Sequence, residues 1–306
     1  MVYKKSGYIG VFGLGFAILA VDFIMRLLLI EKKVAARYES MGETESTNGH
    51  TLQEDGQGDE NDAEAGEEQP LLPKQENDQY KVPPNQPRAI RAFPILYCLK
   101  NPRLLTALLL ALVQATLLAT FDATIPTEAQ DLFGFDSLNA GLLFIALILP
   151  YILLGPIAGW TVDRYGAKPA AVGGFGYLVP VLILLRLARP GGTPQIVLYC
   201  ALLALCGLGM AVIGSPSIVE ASFVVQMYDQ ANPDLFGANG PYAQLYGINS
   251  MVFSAGLTIG PLISGSLKDA IGYGNMNIVI AALCLITAVL SYIYVGGKPN
   301  FSKKQN

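Results

Sequence analysis

Histidine is almost absent from this 306-residue chain: His50 stands alone, with no second histidine and no cysteine beside it. A zinc site needs three or four converging ligands, so the sequence offers no metal centre. Cysteine is scarce as well. Cys98, Cys200, Cys206 and Cys284 show no C-x-x-C spacing, and most fall in apolar runs, which reads as packing or lipid-facing side chains, not redox chemistry. Charged residues make up 14% of the chain against 52% hydrophobic ones, which excludes an ordinary soluble domain. The net charge of −4 comes from one acidic segment, Glu39 to Asp78, and the remainder is mildly basic. Nothing in this pattern calls for a nucleic-acid partner or a cofactor.

Long apolar runs take the place of these missing features. Leu142 to Lys168 reads LLFIALILPYILLGPIAGWTVDRYGAK, an apolar run that ends in the charged turn Asp163-Arg164-Tyr165-Gly166-Ala167-Lys168. A second run, PAAVGGFGYLVPVLILL, starts directly afterwards at Pro169. A hydrocarbon core of ~30 Å needs about 20 apolar residues per helix, with ~17 as the lower limit, and both runs qualify. Two spans joined by so short a turn form an antiparallel hairpin. Asp163 is placed to accept from the first amides of the next helix, and Arg164 and Lys168 keep the turn on the cytosolic side.

Taken in order, the chain predicts an all-α membrane protein with seven transmembrane helices. The first, Tyr8 to Ile30, is too long for a cleavable leader and has no small-residue cleavage site before Glu31. Asp22 and Arg26 sit on it at i, i+4, where they either neutralise each other as an intramembrane ion pair or serve a function directly. Residues 1–31 therefore form one helix with a short outer tail, and residues 32–101 a disordered acidic cytosolic linker almost free of large apolar side chains. Near its end Glu67-Glu68-Gln69-Pro70-Leu71-Leu72 resembles an acidic dileucine sorting signal, in which Glu67, Leu71 and Leu72 would meet an adaptor protein. Its use predicts a vacuolar or endosomal membrane, and its disuse the plasma membrane. Arg88 to Lys100 reads as a basic, partly amphipathic lead-in at the cytosolic surface.

Six further runs follow, predicted at Arg103–Ile125, Leu138–Trp160, Pro169–Leu187, Gln195–Phe223, Ala243–Leu267 and Asn275–Val295. They fill residues 102–297 ahead of a cytosolic tail at 298–306. With the linker in the cytosol most basic residues face that side, and Lys4, Lys5, Arg186, Arg189 and Lys268 fall outside. Proline or clustered glycine interrupts many runs, as at Pro126, Pro150, Gly155-Pro156, Pro180, Gly207, Gly209, Gly214 and Pro216. Gly256-x-x-x-Gly260-Pro261 predicts a close-packing helix face followed by a kink.

The turn Gly159-x-x-x-Asp163-Arg164-x-Gly166-x-Lys168 resembles the loop signature of the major facilitator superfamily of transporters, departing from it at Thr161 and Ala167. Ahead of it stands Phe121-Asp122-Ala123-Thr124-Ile125-Pro126, and after it YAQLYGINSMVFSAGLTIGPLISGSLKDAIGY. This order resembles helices six to twelve of a fungal facilitator related to the vesicular amine and drug:proton antiporters. The resemblance implies that the last six helices form one half of the facilitator fold and that the family's first five are absent, so that the chain reads as a fragment or a half-transporter. It implies transport of small organic molecules, by proton-coupled export or vesicular uptake of cationic or amphiphilic solutes. The partners would be the bilayer, the substrate and protons. Gly159, Asp163, Arg164, Gly166 and Lys168 would then form a gating turn.

A charge inside a span costs ~2.5–3.5 kcal/mol, so Asp122 should face a cavity or a partner. The amine transporters carry an acidic residue at a similar place before a proline, which makes Asp122 the leading carboxylate for a cationic substrate or a coupling proton. Glu220 is the second candidate. The alternative reading is structural, with Asp122 only capping or anchoring a helix end beside Thr120 and Thr124. Ser250 stands where the amine transporters have an aspartate, a departure in the coupling chemistry.

Seven spans and Asp163-Arg164-Tyr165 also describe a seven-helix receptor. The last span, NIVIAALCLITAVLSYIYV, lacks the N-P-x-x-Y of that family, and no cysteine stands at the outer end of the third span. An enzyme would need an intramembrane constellation of reactive groups, and none is evident. A non-transporting scaffold or sensor built from half a transporter is the other alternative.

Overall fold

The computed structural model describes residues 12–13, 15–25, 80–83, 93–232, 235–237 and 240–296. The chain divides into two units, 1–70 and 71–306. In the first unit the apolar helix α1 (Gly15–Met25) carries Asp22. Its expected partner Arg26 lies outside the described residues, as do Glu67, Leu71 and Leu72.

The second unit is helical wherever it has regular structure among the described residues. A short α2 (Ile95–Cys98) leads into α3 (Pro102–Phe133), α4 (Ser137–Tyr165) and α5 (Ala167–Leu184). After these come α6 (Thr193–Ile213), α7 (Pro216–Ala231), α8 (Tyr242–Ile271) and α9 (Tyr273–Tyr294). Among the described residues, six passes are long and apolar enough to cross a membrane, α6 and α7 together making one of them. Because consecutive passes reverse direction, the start of α3, the α4–α5 turn and the end of α7 share one side of the bundle. The end of α3 and the α8–α9 turn share the other.

Local chemistry sets the helix ends. Asn101 accepts from the Arg103 amide at 2.9 Å, and Pro102 fills the first position of α3, where no amide is needed. Asp136 caps α4 by accepting from the Asn139 amide at 3.0 Å. Most of α3 is buried. Its Leu110, Leu117, Phe121 and Ile125 meet Phe175, Leu178, Leu203 and Met276 in the main core. Ile95, Cys98, Leu104, Val224, Tyr228 and Leu245 form a smaller core at the α3 start. Hydroxyls inside the helices are satisfied locally: Thr116, Thr287 and Ser291 each donate to the carbonyl four residues back at 2.7–2.8 Å.

Glycine decides how close two helix pairs come. A Cβ at Gly256 would stand 2.5 Å from the Leu112 carbonyl oxygen, and one at Gly260 2.7 Å from that of Thr116. These two residues therefore set α8 directly on the α3 backbone. Gly207 does the same for α6 on α4, where a Cβ would collide with the Leu147 carbonyl oxygen.

The span expected from Gln195 to Phe223 is one pass whose helix breaks between Ile213 and Pro216, at the interruption the sequence marked with Gly214 and Pro216, since Pro216 has no amide to donate and its ring displaces the preceding turn. Within the segment expected as a linker over 32–101, the described residues Tyr80–Pro83 and Phe93–Asn101 lie against the bundle. Asn232 holds the first of these segments, accepting from the Val82 amide at 2.9 Å and donating to the Tyr80 carbonyl at 2.8 Å. The Tyr80 ring is buried edge-on against Tyr228, with 5.0 Å between centroids.

Candidate functional site: the α3–α8 wall

Although α3 is largely buried, it turns one polar stripe outward: half-buried Gln114, then exposed Asp122 and Gln130, spaced in multiples of four with Leu118 between. The neighbouring α8 presents Tyr242, Tyr246, Ser250, Ser254 and Thr258, also four apart and all exposed. The glycine contacts fix how the two helices face each other. At about 100° per residue from that interface, Asp122 emerges on the same side of the pair as Ser250 and Ser254. A hydroxyl on such a surface is inexpensive in lipid, because it bonds its own helix, as Thr258 does to the Ser254 carbonyl at 3.0 Å. A carboxylate has no such refuge, and among the described residues Asp122 has no ion pair. It needs a watery cavity or a partner.

Each end of α3 carries a charged tie. At its start the Arg103 guanidinium pairs with the Glu220 carboxylate of α7 and lies over the Phe223 ring, 4.8 Å from the centroid. Ser217 reinforces this contact by donating to the Ala107 carbonyl at 2.8 Å. Glu220 is 3% exposed, so it is shut away from the wall on which Asp122 lies. Glu220, the second residue expected to serve substrate or proton, is engaged by Arg103 in this arrangement.

At the far end of α3 the Lys268 ammonium of α8 lies 3.1 Å from a Glu128 oxygen and 2.8 Å from one of Asp131, and also donates to Thr127 at 3.0 Å. Sequence reading did not assemble this cluster. Its signal was present, because Lys268 lies as far beyond Gly260 as Thr127 lies beyond Ala119, the residue against which Gly260 packs.

The α4–α5 turn is a single residue. Gly166 has φ 89° and ψ 167°, which a side chain would strain. Asp163 does not cap α5, contrary to expectation: α4 continues through Tyr165, leaving the carboxylate a turn behind and Gly166 as the cap residue. Arg164 lies over the Trp160 and Tyr165 rings, at 5.3 and 5.9 Å from their centroids, and Lys168 is 5.2 Å from that of Tyr292. Gly159 permits no close approach among the described residues, since a Cβ there would meet nothing within 4 Å. The α8–α9 turn repeats the device unnoticed in the sequence. Gly265-x-x-x-Asp269-x-x-Gly272 matches Gly159-x-x-x-Asp163-x-x-Gly166, and Gly272 has φ 81° and ψ 161°.

Comparison with known proteins agrees with this architecture. The sequence profile described as Major Facilitator Superfamily matches residues 1–232. Over 304 residues the chain is 42% identical to the MFS-type transporter ppzB of Metarhizium majus, covering 97% of this chain and 67% of that protein. It is 42% identical over 312 residues to its namesake in Metarhizium rileyi, covering 97% and 63%. An uncharacterized MFS-type transporter of Schizosaccharomyces pombe, C18.02, is 31% identical over 293 residues, covering 95% and 60%. The chain thus spans about two thirds of the length of these curated relatives or somewhat less. No solved structure matches it. On the profile and these relatives together, the chain belongs to the Major Facilitator Superfamily.

Proposed function

We propose that this chain supplies one wall of the path by which a transporter carries small organic molecules across a membrane, with Asp122 as the carboxylate that meets a cationic solute or the coupling proton. One observation carries the reading. Asp122 is exposed on the largely buried helix α3, on the same side as the Ser250 and Ser254 hydroxyls of α8. In a bilayer that position is tolerable only beside water or a counter-charge. A lone carboxylate on a hydroxyl-lined surface recognises an organic cation by charge, with the hydroxyls adding adaptable hydrogen bonds. Proton exchange at the same carboxylate would release the cation, which is the minimal chemistry of an antiporter.

The α4–α5 turn fits a role at the cytosolic gate. Arg164 rests on two aromatic rings of its own helix and can exchange them for a carboxylate across the gate, while Gly166 holds the turn to one residue. Glu67, Leu71 and Leu72 would direct the protein to a vacuolar or endosomal membrane.

The test is uptake in proteoliposomes under an imposed pH gradient, with an organic cation as substrate. Asp122→Asn should abolish gradient-driven uptake while the yield of folded protein is unchanged. Normal uptake by this variant across a range of pH would remove Asp122 from the transport chemistry.

A further inference from the structure

A cavity of about 470 Å³ lies at the start of α3, away from the Asp122 wall, lined by Tyr80, Tyr97, Lys100, Asn101, Arg103 and Tyr228 along with Pro102. Its walls are rich in hydrogen-bond donors: an ammonium, a guanidinium, a carboxamide and three phenols. Arg103 already engages the Glu220 carboxylate. Asn101 donates to the Tyr228 hydroxyl at 3.5 Å. Lys100 is exposed and rests on the Tyr97 ring, 5.0 Å from its centroid. The roof comes from elsewhere in the chain, since Asn232 pins the Tyr80–Pro83 segment over the end of α7. The cavity therefore has a fixed roof, a cationic rim and the first turn of a long helix beneath it. It lies where the first long apolar helix of the bundle begins.

We propose that this cavity binds a phosphorylated headgroup, such as the inositol phosphate of an anionic lipid in the cytosolic leaflet. The chemistry follows from the lining. Phosphate oxygens accept only, and here the unspent groups donate. Lys100 supplies a compact charge, and the phenols and the Asn101 amide fit the hydroxyls of the ring that bears the phosphate. A bare phosphate would leave most of the volume unfilled. An inositol phosphate fills more of it, and a lipid tail can leave along the apolar flank of α3. This inference is independent of the Asp122 reading.

The experiment uses the full chain in phosphatidylcholine nanodiscs, with or without phosphatidylinositol monophosphate, read by thermal unfolding and by bound-lipid mass spectrometry. The phosphorylated lipid should raise the unfolding temperature and remain bound, while unphosphorylated phosphatidylinositol should do neither. Lys100→Glu should lower the affinity about tenfold or more, the loss expected when a charge-assisted phosphate contact becomes repulsive. Asp131→Asn, at the far end of α3 and outside the cavity, should leave binding unchanged and serves as the folding control. Soluble inositol phosphate and inorganic phosphate form the competing arms. Displacement of the lipid by the soluble sugar phosphate, or stabilisation by it alone, would keep the site and assign it to a free ligand. Equal stabilisation by phosphorylated and unphosphorylated lipid, or binding unchanged in Lys100→Glu, would overturn the proposal.

Discussion

The two ends of α3 solve the same problem in opposite ways. At the start, one arginine meets one carboxylate, with side chains 16% and 4% exposed. At the far end, one lysine is shared between Glu128, 10% exposed, and Asp131, 64% exposed. A guanidinium suits the closed site because it is planar and weakly hydrated, and here it can stack on Phe223 while it pairs. An ammonium suits the open site, where water supplies what its partners leave unmet. Much of what such a tie is worth is the cost of breaking it. A buried charge left alone cannot be solvated, whereas an exposed one simply turns to water.

The comparison is broken most directly at the closed end. Arg103→Ala should destabilise the fold by about 3–5 kcal/mol, because Glu220 is then an uncompensated buried charge. Adding Glu220→Gln should recover a large part of that loss in thermal unfolding. No recovery would mean that Arg103 acts by packing on Phe223 instead.

Cys98 reports on the same end, since it belongs to the small core with Leu104 and Tyr228. Burial pushes its thiol from the ordinary 9.0 up to about 12, so maleimide labelling at neutral pH requires local opening. Arg103→Ala should speed Cys98 labelling by about tenfold or more, and Lys268→Ala should leave it unchanged. The same upward shift stabilises the fold fully below pH 9, and that contribution should be lost as the pH rises from 9 towards 12. Cys98→Ala should flatten this part of the stability profile.

Lys268→Ala should cost less, about 1–3 kcal/mol, because Glu128 is buried but lies beside an exposed edge. Asp131→Asn should cost under about 1 kcal/mol, as for an exposed ion pair, and should fall further in high salt. A loss for Asp131→Asn as large as that for Arg103→Ala would abolish the distinction between the two ends.

Much of this was legible in the sequence. Apolar run length marked the six passes, although α3 and α7 run more than two turns past the expected ends, and Gly256-x-x-x-Gly260 marked a contact face without naming its partner. Hydropathy reads Gln195–Phe223 as one pass, and Gly214 with Pro216 marked where its helix breaks. Glu220 illustrates the harder limit. In the sequence it is an acidic residue in a span, like Asp122, and both merit the same suspicion. Its partner Arg103 lies 117 positions away, on a helix that only folding brings alongside.

The sequence by itself therefore determined what each segment can do alone: be apolar long enough to span, stop at a capped or glycine-closed end, and carry charge to one face. Those properties are local, set by side-chain transfer energies and backbone sterics. Only the tertiary structure decided which charges neutralise one another, which glycines touch a neighbour, and which acidic residue is left facing outward. The reason is geometric. A buried ion pair or a glycine contact depends on two surfaces meeting within a few ångströms, and the packing of α3 that closes Glu220 away against α7 and leaves Asp122 exposed beside α8 belongs to no helix alone.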